Sequence, residues 1–274
     1  MEDFDEFGDC KLDWVMSTTI FFSGSGARIA SHLGAAIALQ DEGIVGDSYG
    51  GISGGAIVAT FAAMGVLNDV KEEILDSGPG NVFFPPIFNK EGNVRPLMAL
   101  LGWALHGPRA IASLYPLRIR LRKLSVWDKW KDKSPLYTYV YEKRSGIVRR
   151  NSSMYSWAEW IDVLLRGSAI PGVIDAGSIS DCGIVRQLPL DEEFCDKAIC
   201  FVTTQKESSP YLVDDVLRRV ALDNVDDEEQ ILRKKFRKLE VHYLQTKNRT
   251  TQYDRDLMRK SYELSFNQLR TNGY

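Results

Sequence analysis

Histidine is scarce in this chain, which has only three among 274 residues: His32, His106 and His242. Mechanisms that depend on several histidines are therefore disfavoured from the start. The four cysteines include no C-x-x-C pair, and none has a histidine neighbour at the spacing of a zinc site. We predict neither a metal ion nor another cofactor, and we expect the cysteines to be small buried thiols in a reducing compartment.

Long apolar runs and targeting segments are also missing. The two longest nearly apolar stretches, Ala56–Leu67 and Leu97–Leu105, are too short to cross a bilayer. Residues Met1–Asp13 are acidic, whereas a secretory signal has a basic start followed by an apolar run. We therefore expect a cytoplasmic protein that at most rests on a membrane surface.

Neither sign of charge dominates the chain. It has 34 Lys and Arg against 37 Asp and Glu, a formal net charge of −3, which argues against binding to nucleic acid. The balance is uneven, since residues 109–150 hold 12 basic and 3 acidic side chains. With 44% hydrophobic residues the chain can bury a sizeable core. We predict an acidic extension over residues 1–17 and one domain over residues 18–274.

Two glycine clusters near the start of the chain each separate a strand-like run from a helix-like run. The expected order is strand Thr18–Phe22, loop Ser23–Arg28, helix Ile29–Glu42, strand Ile44–Ser48, turn Gly50–Gly55 and helix Ala56–Met64. This βαβα order predicts an α/β fold with a mainly parallel sheet covered by helices.

The rest of the chain is less regular. Leu117–Lys123 alternates apolar and basic residues, which predicts a strand with its arginines on one face. The other expected elements are a helix at Pro96–Leu105, a hairpin at Val173–Ser180 that turns at Asp175–Gly177, a strand at Ala198–Thr203, and helices at Asp214–Gln245 and Asp254–Leu269.

The second glycine cluster, Gly51–Gly55, fits the G-x-S-x-G pattern of a nucleophile elbow. In such a turn a strand passes sharply into a helix, and close backbone contacts require small residues two before and two after the serine. Gly51 and Gly55 meet this requirement, so Ser53 is the candidate nucleophile. The alternative is a phosphate-binding or packing turn with a bystander serine.

The first cluster, Ser23–Arg28, admits three interpretations. Gly24 and Gly26 fit part of a dinucleotide-binding G-x-G-x-x-G motif with Asp47 as its acid, but Ile29 occupies the third glycine position. The loop can instead supply backbone N–H groups to an oxyanion hole, which the nearby elbow favours. A purely structural loop is the third interpretation.

None of the three histidines fits the role of a base for Ser53. His242 lies in a stretch with helical spacing, His106 lies at a helix end, and His32 lies on the first helix as a packed or supporting residue. A carboxylate can replace the imidazole if it hydrogen-bonds the serine hydroxyl. Asp181, which follows the expected hairpin, is the best candidate.

These features together resemble the patatin-like phospholipases, a family that uses a Ser–Asp dyad and no catalytic histidine. The matching blocks are, in order, Ser23–Ile29 with His32 and Gly34, Gly51–Gly55, Ser168–Gly172, and Asp181 with Gly183 and Pro189. The resemblance implies a three-layer α/β/α sandwich of patatin type.

The resemblance also implies roles for individual residues. Ser53 would be the nucleophile and Asp181 the base, and Arg28 would either fix the glycine loop or meet a phosphate. The backbone N–H groups of the oxyanion hole would come from Gly24, Ser25, Gly26 and Gly54. Three residues depart from the family pattern, because Ser25, Ile29 and Cys182 replace glycines.

The implied activity is calcium-independent hydrolysis of fatty-acyl esters of glycerophospholipids, of phospholipase A type, through an acyl-enzyme. The alternatives are an esterase or thioesterase for soluble acyl compounds, and an inactive module that binds lipid or a protein partner. A phospholipid or membrane surface is the expected partner, and the sequence leaves protein partners open.

Three features are candidates for contact with such a surface. The apolar stretch Val82–Phe88, the helix at Leu97–Leu105 and the indoles Trp127 and Trp130 would supply interfacial side chains, and the basic residues of 109–150 would attract anionic headgroups. The competing interpretation is that the apolar stretches are core and the basic run is a solvated face.

Overall fold

The computed structural model describes residues 17–107, 109–175, 177–183, 185–189, 196–203 and 225–271. Residues 1–16 of the predicted acidic extension lie outside this part of the chain, as do Cys10 and Cys195. No helix among the described residues is long and apolar enough to cross a membrane.

A mainly parallel sheet runs through the centre of the molecule. Its strands are β1 Thr18–Phe22, β2 Ser48–Gly51, β3 Leu136–Glu142, β4 Gly146–Asn151, β5 Ile179–Ser180, β6 Lys197–Val202 and β7 Lys238–Tyr243. The order is β4-β3-β2-β1-β6-β7, and β5 pairs with β3. The pairs among β3, β2, β1, β6 and β7 are parallel, whereas β4 and β5 lie antiparallel to β3.

Helices cover both faces of this sheet. Their bounds are α1 Ile29–Asp41, α2 Gly54–Ala63, α3 Leu67–Leu75, α4 Pro79–Val82, α5 Pro96–His106, α6 Tyr115–Lys123, α7 Trp157–Gly167, α8 225–235 and α9 Arg255–Thr271. Alternate side chains of β1 enter two separate cores. Ile20 and Phe22 pack with α1 and α2, whereas Phe21 packs on the face covered by α8. The fold is therefore the expected three-layer α/β/α sandwich.

Several predicted elements are confirmed within a residue or two. They are β1, α1, the helix after the elbow, α5, β6 and α9. The second strand lies later than expected, because β2 begins at Ser48 and includes the first two glycines of the turn. The segment Ile44–Ser48 is therefore mostly a connection.

The strand expected at Leu117–Lys123 is wrong, because these residues belong to α6. The alternation reflects ion pairing: Arg118 and Arg122, four residues apart on one helix face, both reach Asp162. Arg120 points elsewhere and pairs with Glu73 at 2.7 Å. Partners distant in sequence therefore decided the structure of this segment.

Two further predictions need correction. The ends of Val173–Ser180 do not pair with each other: Ile174 bridges Ala112, and β5 pairs with β3. The turn at Asp175–Gly177 does exist, with Gly177 N–H donating to the Asp175 carboxylate at 2.9 Å. The helix expected at Asp214–Gln245 is replaced in its described part by α8 and then β7, which contains His242.

Candidate active site

Ser53 occupies a sharp turn between β2 and α2. Its backbone has φ 53° and ψ −125°, and among the described residues it is the only one other than glycine with a positive φ. A Cβ on Gly55 would collide with the carbonyl oxygens of Phe22 and Ser23, and one on Gly51 would lie 2.6 Å from Ala56 N. The local backbone therefore has the strain and close contacts of a nucleophile elbow.

Asp181 lies beside Ser53 although the two residues are far apart in sequence. The Ser53 hydroxyl faces the Asp181 carboxylate closely enough to lower the pKa of that carboxyl, and the carboxylate accepts the N–H of Gly183 at 2.7 Å. The backbone N–H of Asp181 donates to the carbonyl of Ala169 at 3.0 Å. The Ser168–Gly172 block therefore helps to place this carboxylate.

Burial gives the Asp181 carboxyl the character of a base. Desolvation raises its pKa from 3.8 to about 6, and the neighbouring Ser53 hydroxyl and the N–H of Gly183 oppose this rise. A carboxylate with a pKa close to neutral accepts a proton more readily than an ordinary aspartate does.

Backbone amides of the first glycine loop face the same region as the N-terminus of α2. The N–H groups of Ser25, Gly26 and Gly54 have no acceptor among the described residues, so they are free to donate to a ligand. The N–H of Gly24 is already engaged, because it donates to Gln187 Oε1 at 3.1 Å. Ser25 itself is buried, with its hydroxyl against Gly54.

The Arg28 guanidinium is buried and bonded to the protein backbone. It donates to the carbonyls of Asn248 and Thr203, both at 3.3 Å. The loop between β7 and α9 holds the glycine loop from the same side, since Ala27 N–H donates to Thr250 O at 2.7 Å. The side chain of Asn248 in turn donates to Ala27 O at 2.6 Å. These contacts give Arg28 a loop-supporting position.

The dinucleotide interpretation of the first glycine cluster finds no matching geometry. Asp47, the acid of the dinucleotide alternative, accepts the N–H of Thr18 at 2.7 Å and so lies at the opposite end of β1 from the glycine loop.

Cys182, which replaces a glycine of the family pattern, is buried in the core that contains Phe21. Its thiol donates to Tyr139 O at 3.2 Å, and burial raises the pKa of this thiol well above its ordinary value.

Each of the three imidazoles contacts groups other than Ser53 and Asp181. His32 is fully buried, its ring packs edge-on against Phe22, and desolvation lowers its pKa to about 3. His106 Nε2 lies 3.2 Å from the carbonyl of Phe84. His242 stacks on Phe201 from strand β7. Asp181 therefore remains the candidate base.

An apolar cavity opens beside Ser53. Its walls are mostly aliphatic and aromatic and come from α2, α3, α4, α6 and the segment before α9; they include Ile57, Phe61, Val70, Phe83, Leu121 and Tyr253. A separate polar part of the lining, Glu73, Ser77 and Arg120, is internally hydrogen-bonded, with Arg120 donating to Ser77 Oγ at 3.0 Å. The rest of the cavity suits a hydrocarbon chain.

The apolar segments of the middle region divide into core and surface. Val82, Phe83, Ile87 and Phe88 are buried, and Trp130 packs against Trp157 and Trp160. In contrast, α5 is largely exposed. Its apolar side chains with at least two fifths of their surface in solvent are Leu97, Leu100, Leu101, Trp103 and Leu105. Trp127 is also exposed.

The basic excess of residues 109–150 is partly neutralised by acids from outside it. Arg118 and Arg122 share Asp162, and Arg120 pairs with Glu73. Lys133 lies over the ring of Trp130 at 3.9 Å. The segment is therefore a weaker attractor for anionic headgroups than its formal charge suggests.

The fold and this site define a class: a three-layer α/β protein with a serine elbow, a facing glycine loop and an apolar cavity. The model of the patatin-like phospholipase family matches residues 20–196, more than half of the chain. The chain therefore belongs to the patatin-like phospholipase family, and it is a lipid acyl hydrolase in the broad sense.

Solved structures similar to this chain include the following two. VipD from Legionella pneumophila is 15% identical, with a TM-score of 0.44 and 93% of this chain and 67% of that chain covered. A chain of full-length SpcU in complex with full-length ExoU from Pseudomonas aeruginosa is also 15% identical, with a TM-score of 0.39. This match covers 93% of the present chain but about half, 52%, of the other. No curated protein matches the chain.

Proposed function

We propose that this protein is a phospholipase A type hydrolase that cleaves fatty-acyl esters of glycerophospholipids with a Ser53–Asp181 dyad. The observation that carries the proposal is the approach of the Ser53 hydroxyl, at a strained strand-to-helix turn, to the buried carboxylate of Asp181. The family resemblance implies the same two residues as the dyad, which supports the proposal.

The reaction follows from the groups around Ser53. Ser53 Oγ attacks the ester carbonyl carbon while its proton passes to Asp181. The resulting oxyanion accepts hydrogen bonds from the N–H groups of Ser25, Gly26 and Gly54, which have no other acceptor in the described part of the chain. Asp181 then protonates the departing alcohol, and water releases the acyl group by the same steps in reverse order.

The supporting residues act on the loops. In this proposal Arg28 holds the glycine loop through Asn248 and Thr203, and Gly24 links that loop to Gln187. Because Asn248 and Thr250 touch the glycine loop, we propose that the catalytic domain extends beyond the matched residues 20–196 and comprises residues 18–274.

The cavity and α5 supply the contacts with lipid. The apolar cavity beside Ser53 takes the scissile acyl chain. The exposed leucines and Trp103 of α5 enter the interfacial region of a membrane, so the protein works as a peripheral enzyme. Because arginines of α6 are paired with acidic side chains, electrostatic attraction to headgroups contributes less to docking.

Hydrolysis of a substrate panel tests this proposal. Fluorescent phospholipids, lysolipids, triglycerides and a short water-soluble ester are assayed with wild type, Ser53→Ala and Asp181→Asn. Ser125→Ala and Asp128→Asn, which change exposed residues, are matched controls. We expect phospholipid hydrolysis that both site variants lose and both controls keep.

Other outcomes would overturn parts of the proposal. Full activity in Ser53→Ala would refute the nucleophile. Activity that survives Asp181→Asn but is lost when a histidine is changed would refute the dyad. Hydrolysis confined to the soluble ester would replace the phospholipase with an esterase for soluble acyl compounds.

A further inference from the structure

Glu228, on α8, is a buried carboxylate outside the residues already described as the site. It is 5% exposed, and its Oε2 accepts the backbone N–H of Gln187 at 2.9 Å and that of Leu188 at 2.8 Å. Its buried neighbours on the same helix, Val225 and Leu232, are apolar. A carboxylate among such residues needs strong hydrogen bonds to offset its desolvation.

The segment that Glu228 holds is the one that carries Asp181. The side chain of Gln187 bridges two loops: its Oε1 accepts Gly24 N–H at 3.1 Å, and its Nε2 donates to the carbonyl of Gly183. Gly183 in turn donates its N–H to Asp181 at 2.7 Å. A continuous set of hydrogen bonds therefore joins Glu228 to the base and to the glycine loop.

We propose that Glu228 is a positioning residue, which holds Gln187 and Leu188 in place and thereby keeps Asp181 beside Ser53. This inference rests on the proposed hydrolase function. Glu228 is not among the residues that line the cavity, and it accepts hydrogen bonds from Gln187 and Leu188, so it acts through these two residues.

The energetics of burial agree with this role. Desolvation raises the pKa of the Glu228 carboxyl to about 7, against the two backbone N–H donors and the guanidinium of Arg186, while Asp227 adds to the rise. The two backbone N–H donors explain why a carboxylate occupies this apolar position. An apolar side chain there would leave both N–H groups buried without an acceptor.

The test compares Glu228→Ala with Glu228→Gln, whose amide oxygen still accepts both N–H groups. Asp227→Asn, at the exposed neighbouring position, is the control. On a soluble ester we expect Glu228→Ala to lower kcat about tenfold to a hundredfold with little change in KM. We expect Glu228→Gln to stay within a few-fold of wild type. An unchanged kcat in a folded Glu228→Ala protein would overturn the proposal.

Hydrogen exchange followed by mass spectrometry supplies a readout that does not depend on activity. Peptides covering residues 181–189 are expected to exchange faster in Glu228→Ala but not in Glu228→Gln, and equal exchange would overturn the proposal even for an inactive enzyme. If Glu228→Ala does not fold, Gln187→Ala breaks the link to Gly24 without leaving a buried charge. That variant should show the same fall in kcat, and wild-type kcat would refute the role.

Failure of the proposed function looks different. In that case wild type itself hydrolyses no ester and Ser53 takes no label from a fluorophosphonate, whatever the exchange of residues 181–189.

Discussion

Apolar side chains are buried in one region of the molecule and exposed in another. In residues 18–64, α1 and α2 are buried on nearly every side, and the glycine loop and elbow lie between them and the sheet. In α5 only Gly102 is buried, and the helix rests on the backbone of Ile111 at that point. We call residues 18–64 the closed region, and we call α5 with α6, in which only Gly102 and Leu121 are buried, the open region. Ser53 therefore lies in the closed region, and the surface available to lipid lies in the open region.

The open region is attached by ion pairs as well as by packing. Arg118 and Arg120 bind Asp162 and Glu73, which belong to helices of the main body. Such partly exposed pairs contribute little stability each, about 1 kcal/mol or less. The comparison predicts that small changes in the closed region abolish activity, whereas changes in the open region only modulate it.

The largest effect is expected at Gly55. In Gly55→Ala the new methyl group would overlap the carbonyl oxygens of Phe22 and Ser23, so the elbow must shift. We expect a loss of about 3 kcal/mol or more of unfolding free energy and no measurable hydrolysis. Gly78→Ala, where no atom lies within 4 Å, should change the unfolding free energy by less than about 0.5 kcal/mol. Equal stability of the two variants in urea unfolding would contradict the close approach at the elbow.

Asp181→Asn should lower the activity and raise the stability of the protein. We expect hydrolysis to fall about 10²- to 10⁴-fold, because asparagine cannot accept the proton of Ser53. The raised pKa of Asp181 means that ionising it opposes folding, by about 3 kcal/mol above pH 6 and progressively less as pH falls towards 4. The variant should therefore be more stable than wild type at pH 8, and the gain should vanish near pH 4.

The same pKa shift predicts the wild-type pH profile. Activity should fall as pH drops through about 6, where Asp181 gains a proton. Unfolding of wild type and Asp181→Asn at pH 8 and pH 4 measures the effect on stability. The pH dependence of kcat/KM measures the effect on activity. An acid limb centred near pH 4 would show that the base is an ordinary exposed carboxylate.

A moderate effect is expected on α5. Leu97→Glu combined with Leu100→Glu removes two exposed leucines from the lipid-facing surface. Hydrolysis of phospholipid vesicles should fall about tenfold or more, since burying each leucine contributes about 2 kcal/mol to binding. Hydrolysis of a soluble ester should not change. Val45→Glu, at an equally exposed position outside α5, is the control, and an equal loss there would refute a specific docking role.

The smallest effect is expected at the ion pair of α6. Arg118→Met removes the bidentate contact with Asp162. Both side chains of this ion pair are more than a third exposed. We expect a loss of less than about 1 kcal/mol in urea unfolding and an unchanged kcat on the soluble ester. A loss of several kcal/mol would mean that the open region is held mainly by charge.

The closed region was also the one that the sequence predicted well. Ser53, its flanking glycines and the surrounding βαβα order are local backbone features, which spacing alone specifies. For Asp181 the sequence offered only a candidate, the carboxylate after the expected hairpin, and the family resemblance implied the same residue. Spacing alone does not specify its approach to Ser53, because the two residues are far apart in the chain.

Long-range partners explain what was missed. The alternating arginines of α6 fit the pattern of a strand. In the structure they lie on a helix, where Arg118 and Arg120 pair with Asp162 and Glu73 of other helices. Nothing in the spacing of Gln187 or Glu228 indicates that they meet each other or Gly24, because those contacts form only when the loops fold together. The engaged amide of Gly24 was missed for the same reason.

The site itself is tested most directly by mapping the adduct of a fluorophosphonate on the folded wild-type protein by mass spectrometry. The account predicts one adduct, on Ser53, with labelling that slows markedly in Asp181→Asn. An unmodified Ser53, or an adduct on another serine, would contradict the assignment of the nucleophile.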